Sequence, residues 1–365
     1  MKPLYVSSIL TFSGKTAICL GLGLRMQASG LDVGYIKPVS TQPWQMQGKV
    51  LDQDADFVRR TLGLEREAWE LSPVVITDQL LEQAMRGELK RDLMDDVLAA
   101  CGDDCQSKDV LILEGGANLR EGTALGVRSV EVARAFDAAV LMVIRWDGAL
   151  HVADAALSAK YRYRQVGKDL LIGVIINRVP ETQLAMTKEL MVPFLEREGV
   201  PVFGVFPEQR PLSAISVDEL VEVLDAELLA GRRKGAELVE ELVVGAMSAD
   251  EALPRFRRHR NKAVITGGDR SEIQLAALQT STVALILTGN IRPSPTIVGQ
   301  AEDAGVAVLA VHEDTMAAVD KIERVFGKTR LAQAEKLSRF QAVMAEHLDY
   351  DRLIDVLGLT GLVQH

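Results

Sequence analysis

Gly14, Lys15 and Thr16 end the run Tyr5-Val6-Ser7-Ser8-Ile9-Leu10-Thr11-Phe12-Ser13 and open an apolar-periodic stretch expected to be a helix from Lys15 to Ser29. Backbone N–H groups at a helix start face anions, the Lys15 ammonium adds a charge-assisted contact, and the Thr16 hydroxyl suits the shell of a Mg²⁺ ion. The chemistry served by this spacing is the holding of phosphates and their metal, as in ATP with Mg²⁺ or a related nucleotide. Ile9 stands where the common G-x-x-x-x-G-K-[ST] pattern has its first glycine, so an ordinary helix start with Thr16 near its cap stays open.

Lys37, Asp54 and Glu114 extend the constellation. Lys37 ends the apolar segment Gly34-Tyr35-Ile36 and is followed by Pro38-Val39, at the kind of strand end where open α/β sheets gather ligands. Asp54 lies in Asp52-Gln53-Asp54-Ala55-Asp56, a loop entering a helix, from which it can reach a metal through water. Glu114 closes Val110-Leu111-Ile112-Leu113 before Gly115-Gly116, where the acidic Mg-site residue of phosphate-loop proteins lies. Singly, each is as well explained as a solvated strand end, a helix cap or a loop acid.

Positioning these groups requires short buried strands alternating with amphipathic helices, the pattern of a parallel sheet covered on both faces. Strands are expected at Leu4 to Ser7, Val33 to Pro38, Val110 to Leu113, Ala139 to Ile144, Leu171 to Ile176 and Val202 to Val205. Pro207-Glu208-Gln209-Arg210-Pro211 breaks the pattern, and 365 residues exceed one ordinary core. The expected division is a phosphate-loop domain at 1–212, a smaller Rossmann-like α/β domain at 213–330 and a helical extension at 331–365, with a terminal helix at 331–349. The fold class is α/β throughout.

The smaller domain repeats one arrangement: a strand, a turn of small or polar residues, a helix. Val264-Ile265 leads to Thr266-Gly267-Gly268-Asp269-Arg270, Ala284 to Leu287 leads to Thr288-Gly289-Asn290, and Val306 to Val311 leads to His312-Glu313-Asp314. Thr266, Gly267, Gly268, Asp269, Arg270, Thr288 and Asp314 are therefore candidate ligand contacts at strand carboxyl ends. A tight turn with Asp269 as helix cap explains the glycines equally well. Arg255, Arg257, Arg258, Arg260 and Lys262 form a basic cluster, read as a solvated face or an anion-capturing one.

Residues 1 to about 210 resemble the dethiobiotin synthetase family and the related domain at the amino end of long phosphate acetyltransferases. The resemblance rests on the Thr11 to Thr16 loop, Tyr35-Ile36-Lys37-Pro38-Val39, Asp54-Ala55, Glu114-Gly115 and Ile175-Ile176-Asn177-Arg178-Val179. It implies that Thr11, Gly14, Lys15 and Thr16 bind the triphosphate and Mg²⁺. It further implies that Lys37 assists phosphoryl transfer, Asp54 and Glu114 hold metal, and Asn177 contacts the base. The synthetases usually have Gly-Thr-Asp-Thr-Glu-Val before Gly-Lys-Thr; here Leu10 and Phe12 replace the two acids. Phosphate handling is kept, and the carboxylates that place the synthetase substrate are not, which speaks against dethiobiotin synthesis itself.

Residues from about 215 to 330 resemble the DRTGG domain, whose motif corresponds here to Thr266-Gly267-Gly268-Asp269-Arg270, with Val244-Gly245-Ala246-Met247-Ser248 upstream. The same pairing precedes the catalytic domain of long phosphate acetyltransferases, a domain not expected in this chain, and DRTGG domains elsewhere accompany regulatory nucleotide-binding modules. A ligand-sensing, dimerising role follows from that resemblance. Apolar surface on the small domain and its amphipathic terminal helix also leads to the expectation of a homodimer.

Composition narrows the classes. A formal charge of −10 argues against nucleic acid as the main partner, and no apolar run approaches a membrane span. The start opens directly into a strand rather than a leader pattern, so a cytoplasmic protein is expected. Cys19, Cys101 and Cys105 are too few for a disulfide framework. Two functional readings result. One is a nucleotide-responsive regulatory or adaptor protein acting on a metabolic enzyme. The other is an ATP-dependent enzyme that phosphorylates or ligates a carboxylate or carbamate.

Overall fold

The computed structural model describes residues 1–363 apart from 12, 47, 117, 166–168, 210, 211, 213, 233 and 327–333. Phe12 of the loop, the Arg210-Pro211 end of the expected boundary and residues 331–333 of the expected terminal helix lie outside the described residues. The chain forms two compact units, one made of Met1–Glu208 and Leu331–His365, the other of Gln209–Arg330.

In the first unit, β1 (Lys2–Ser8), β2 (Val33–Ile36), β3 (Val110–Glu114), β4 (Ala139–Arg145), β5 (Leu171–Val179) and β6 (Val202–Pro207) form one sheet in the order β6-β5-β4-β1-β3-β2. Every pairing in it is parallel. β1 and β3 are almost entirely buried, so their Val, Leu and Ile runs are continuous rather than alternating, as expected for strands covered on both faces. Helix α1 (Lys15–Ala28) follows β1 with Gly14 at its cap, in the left-handed region at φ 92°. A Cβ at Gly14 would lie 2.5 Å from Asn177 Nδ2, so glycine is required both by conformation and by space. Between β2 and β3 an antiparallel hairpin, Pro43–Met46 with Lys49–Asp52, delivers the chain into α2 (Gln53–Leu62), capped by Asp52.

The expectation of a separate extension at 331–365 is corrected: this segment is part of the first unit. Its helices, Ala334–His347 and Tyr350–Val356, and the link between them bury Phe340, Met344, Leu348, Tyr350, Leu353 and Ile354. Leu348 forms an antiparallel bridge with Gly204 on β6, the sheet's edge strand, and the Asp349 N–H donates to the Phe203 carbonyl at 2.7 Å. Arg352 makes a two-pronged contact with Glu196, at 2.8 and 3.0 Å. The apolar face read as surface for a second copy is thus covered within the chain, and the segment also shields a sheet edge.

The second unit has a five-stranded sheet of β7 (Glu227–Ala230), β8 (Glu241–Val244), β9 (Lys262–Gly267), β10 (Thr282–Thr288) and β11 (Ala307–Ala310), in the order β7-β11-β10-β9-β8. β7 runs antiparallel to β11 and the other pairs are parallel. Its two faces bury separate apolar clusters, centred on Ile265, Ile286 and Leu309 and on Val264, Leu285 and Val308, so neighbouring strand residues alternate between them.

Candidate functional site

The site lies at the carboxyl ends of β1, β2 and β3, where α1 begins. Thr16 occupies the first turn of α1, and its Oγ1 donates to Glu114 Oε1 at 2.6 Å; the Tyr35 hydroxyl donates to Glu114 Oε2 at 2.7 Å. Both oxygens of a buried carboxylate are thereby oriented. Burial is the main influence on Glu114 and raises its pKa; Lys37 opposes that rise, Asp54 adds to it, and the two hydroxyl donors oppose it.

Lys37 leaves the end of β2 and is nearly buried. Its Nζ lies 2.9 Å from Asp52, 3.3 Å from Asp54 Oδ2 and 3.8 Å from Glu114 Oε1. Burial alone works against the ammonium, yet Glu114, Asp54 and Asp52 outweigh it and hold its pKa above the usual lysine value. Asp52 was not among the residues singled out from sequence. It is fully buried, takes a hydrogen bond from the Ser40 hydroxyl and caps α2 by accepting from the Ala55 N–H at 2.9 Å. An acidic residue immediately before a helical run, in Asp52-Gln53-Asp54-Ala55, is the signal that identifies it.

Lys15 is buried, and its Nζ donates to the Ser8 hydroxyl at 2.8 Å. Burial lowers its pKa and Glu114 opposes that shift. Ser13 Oγ is buried with no hydrogen-bond partner, a cost of about 1–3 kcal/mol unless a ligand atom meets it. Thr11 is exposed on the same loop. Asn177, at the end of β5, donates from Nδ2 to the Ser13 carbonyl at 2.8 Å and accepts the Arg178 N–H on Oδ1 at 2.9 Å. Its amide spans the loop and the strand end.

This donor set fits a nucleotide carrying Mg²⁺. Thr16, Glu114 and Asp54 supply the hard oxygens such an ion accepts, and the loop supplies N–H donors, an ammonium and an orphaned hydroxyl for phosphate oxygens. Among the described residues no group of three or more His, Cys, Asp or Glu side chains forms a metal cage by itself. Mg²⁺ usually keeps waters and phosphate oxygens, so one or two protein ligands suffice.

The second-unit candidates are largely engaged within the protein. Thr266 Oγ1 donates to the Gly245 carbonyl at 3.0 Å, Arg270 reaches the Met247 carbonyl at 2.8 Å, and Thr288 Oγ1 shares a 2.8 Å hydrogen bond with Thr315. Asp314 accepts from the Ala317 N–H at 2.9 Å and caps the helix Thr315–Phe326. A Cβ on Gly268 would fall 1.9 Å from the Ile291 carbonyl oxygen, so this glycine is a packing requirement. Gly267 stands beside it with its carbonyl taken by Gln274 at 3.1 Å. The helix after this turn, Ser271–Leu278, has Arg270 rather than Asp269 at its cap. The basic cluster divides: Arg255, Arg257, Arg258 and Arg260 are exposed, whereas Lys262 is buried and donates to Thr280 Oγ1 and the Ser281 carbonyl, each at 2.9 Å.

A parallel sheet with a glycine-lysine-threonine loop at its first helix, followed by a smaller α/β unit, defines a phosphate-loop protein with an appended second domain. Residues 2–216 match the AAA domain family and residues 219–325 the DRTGG domain; the chain belongs to the AAA domain family and carries a DRTGG domain after it. It is 22% identical over 351 residues to the phosphate acetyltransferase of Pseudomonas putida, covering 92% of this chain and 49% of that one. It is 25% identical over 120 residues to an ATP-dependent dethiobiotin synthetase of Caldicellulosiruptor saccharolyticus, covering 33% of this chain and 49% of that one. The chain therefore spans about half the length of the acetyltransferase it matches. Among solved structures, a cobyrinic acid a,c-diamide synthase of Mycobacterium smegmatis matches at 16% identity and a TM-score of 0.36, over 57% of this chain and 87% of that one. Among the described residues no helix is long and apolar enough to cross a membrane.

Proposed function

We propose that this chain binds ATP with Mg²⁺ at the loop ending in Gly14-Lys15-Thr16 and acts as a nucleotide-responsive regulatory or adaptor protein. Thr11, Gly14, Lys15, Thr16 and Asn177 would hold the nucleotide, and Thr16, Asp54 and Glu114 the metal. Mg²⁺ bound there would neutralise phosphate charge and fix the phosphate oxygens. The observation that carries the proposal is the join between Thr16 and Glu114 at 2.6 Å beside the buried, unpartnered Ser13 hydroxyl. It supports the reading because a hydroxyl in the first turn of α1 meets an acid at the end of β3, the pairing that a Mg-phosphate site would use.

The regulatory reading is supported by Lys37. An ammonium that stabilises a transferred phosphoryl has to direct its charge at that group, and here Asp52, Asp54 and Glu114 surround it. The loss of a loop acid at Leu10 points the same way. The alternative, an ATP-dependent enzyme acting on a carboxylate or carbamate, is favoured by the short path from Thr16 through Glu114 to Lys37. The match to acetyltransferases makes a metabolic enzyme the natural partner. A homodimer in the cytoplasm, with the DRTGG domain taking a second ligand through the strand-end loops, completes the proposal.

Thermal unfolding with and without ATP and Mg²⁺ tests it. At a hundredfold excess over Kd the stabilisation should be about 2.7 kcal/mol, and Lys15→Ala should remove most of it. A wild-type melt indifferent to ATP and other nucleoside triphosphates overturns the nucleotide reading. Light scattering that reports only the 39.8 kDa chain mass overturns the dimer.

A further inference from the structure

The last turn of α1, at the opposite end of that helix from the phosphate loop, meets the carboxyl-terminal segment around a cavity within the first unit. Its volume is about 430 Å³, inside the roughly 300–1,000 Å³ range of small-molecule sites. Arg25 and Ser29 line it from the end of α1, and Tyr350, Asp351, Ile354 and Val363 line it from the carboxyl-terminal segment.

The wall is fixed by contacts that close on one another. The Arg25 guanidinium lies over the Tyr350 ring, 4.5 Å from its centroid. The Tyr350 hydroxyl donates to Ser29 Oγ at 3.2 Å, and Ser29 Oγ donates to the Arg25 carbonyl at 3.0 Å. Tyr350 is buried, so ring and guanidinium hold each other in place. A guanidinium held over a ring keeps the N–H donors around its rim, in the fork that matches a carboxylate.

Two opposite charges line this space and neither is neutralised. Among the described residues Arg25 and Asp351 have no ion-pair partner, and they do not pair with each other although they share the cavity. Arg352, the next residue in the chain, is by contrast paired with Glu196 at 2.8 Å. Ile354 and Val363 add apolar surface to the same wall. An occupant that completes such a cavity brings an anion to Arg25, a cation to Asp351 and an apolar body to Ile354 and Val363. A free α-amino acid with an apolar side chain has that composition.

We propose that this cavity binds an α-amino acid with an aliphatic or aromatic side chain, its carboxylate on Arg25 and its ammonium on Asp351. Nothing in the site depends on what the phosphate loop binds. Because the cavity joins α1 to the carboxyl-terminal segment, its occupant also fastens that segment to the first unit.

Calorimetry on the full chain tests this with the aliphatic and aromatic L-amino acids, each beside the amine that lacks its carboxylate and the acid that lacks its ammonium. At least one amino acid should bind about tenfold or more tightly than its amine, the scale of a charge-assisted arginine contact. It should bind about threefold or more tightly than its acid, a smaller margin because Asp351 is exposed. Arg25→Gln should erase the advantage over the amine, and Asp351→Asn should erase only the advantage over the acid. This crossed pattern is one that a purely structural loss would not produce. Asp351→Asn, at an exposed position, keeps the test open should Arg25→Gln loosen Tyr350. No member of the series binding with a Kd below about 1 mM overturns the site. A preference that survives both substitutions, or amines and acids that bind as well as the amino acids, overturns it too.

Discussion

Asn177 Nδ2 donates to the Ser13 carbonyl at 2.8 Å across 164 positions of chain, tying the phosphate loop to the end of β5. The loop's shape therefore depends on a strand two places away in the sheet order β5-β4-β1. Asn177→Ala should loosen the loop and weaken ATP-Mg binding about tenfold, the scale of one buried hydrogen bond to an organised site. Gly14→Ala should be more severe, because its Cβ would meet Asn177 Nδ2 at 2.5 Å and the φ of 92° disfavours alanine. Equal affinities in the three proteins by calorimetry would remove the loop from the binding site.

Thr16 should control metal dependence. Thr16→Val keeps the shape and removes the hydroxyl that now donates to Glu114. ATP affinity with Mg²⁺ should drop at least about tenfold, while the weaker affinity in chelator should stay within about threefold. A drop of the same size in both conditions would mean that Thr16 serves the fold and not the metal.

Lys37→Ala leaves three carboxylates facing one another, with Asp52 fully buried. Stability should fall by about 3–5 kcal/mol, the scale for removing one partner of a buried ion pair, and adding Asp52→Asn should restore part of it. In the regulatory reading, wild-type phosphate release is a slow background even with candidate amines and bicarbonate. Substrate-stimulated release that vanishes in a folded Lys37→Met variant would decide for the enzyme.

The carboxyl-terminal segment should be sensitive to acid. The hydrogen bonds from Arg352 hold Glu196 below its usual value of 4.5, and burial opposes this. A depressed carboxylate contributes stability above its unfolded pKa and loses it as pH falls through the folded one. Limited proteolysis of residues after 333 should therefore accelerate as pH drops below about 4.5. Arg352→Ala should release the segment more readily at neutral pH and flatten the acid dependence. An unchanged pH profile would show that apolar contacts alone seat the segment.

Much of the first unit was legible because its strands are continuous apolar runs bounded by glycine and polar residues. The expected Leu171 to Ile176 strand nevertheless runs on through Asn177 to Val179, and the expected Val110 to Leu113 strand includes Glu114. Polarity marks where a side chain points to a site, not where backbone pairing stops. Lys37 and Glu114 could be singled out one at a time, but their partner Asp52 is brought in by a hairpin whose exposed Trp44 and Val50 give no clear alternation. The one terminal helix expected is followed by a second, Tyr350–Val356, and an amphipathic pattern names no partner; the buried residues of both helices belong to the first unit. In the DRTGG domain the turn residues look like ligand contacts, whereas Gly268 answers to the Ile291 carbonyl and Asp314 to a helix start.

Because Leu331–His365 completes the unit begun by Met1–Glu208, the order of synthesis differs from the order of assembly. The phosphate loop leaves the ribosome well before the segment that completes its unit, and the edge strand β6 waits uncovered while more than a hundred further residues, those of Gln209–Arg330, are made. The inserted unit has all of its own strands before the outer one can close. During that interval the uncovered sheet edge is a hazard to the nascent chain, and the helices of Leu331–His365 are the ones that remove it.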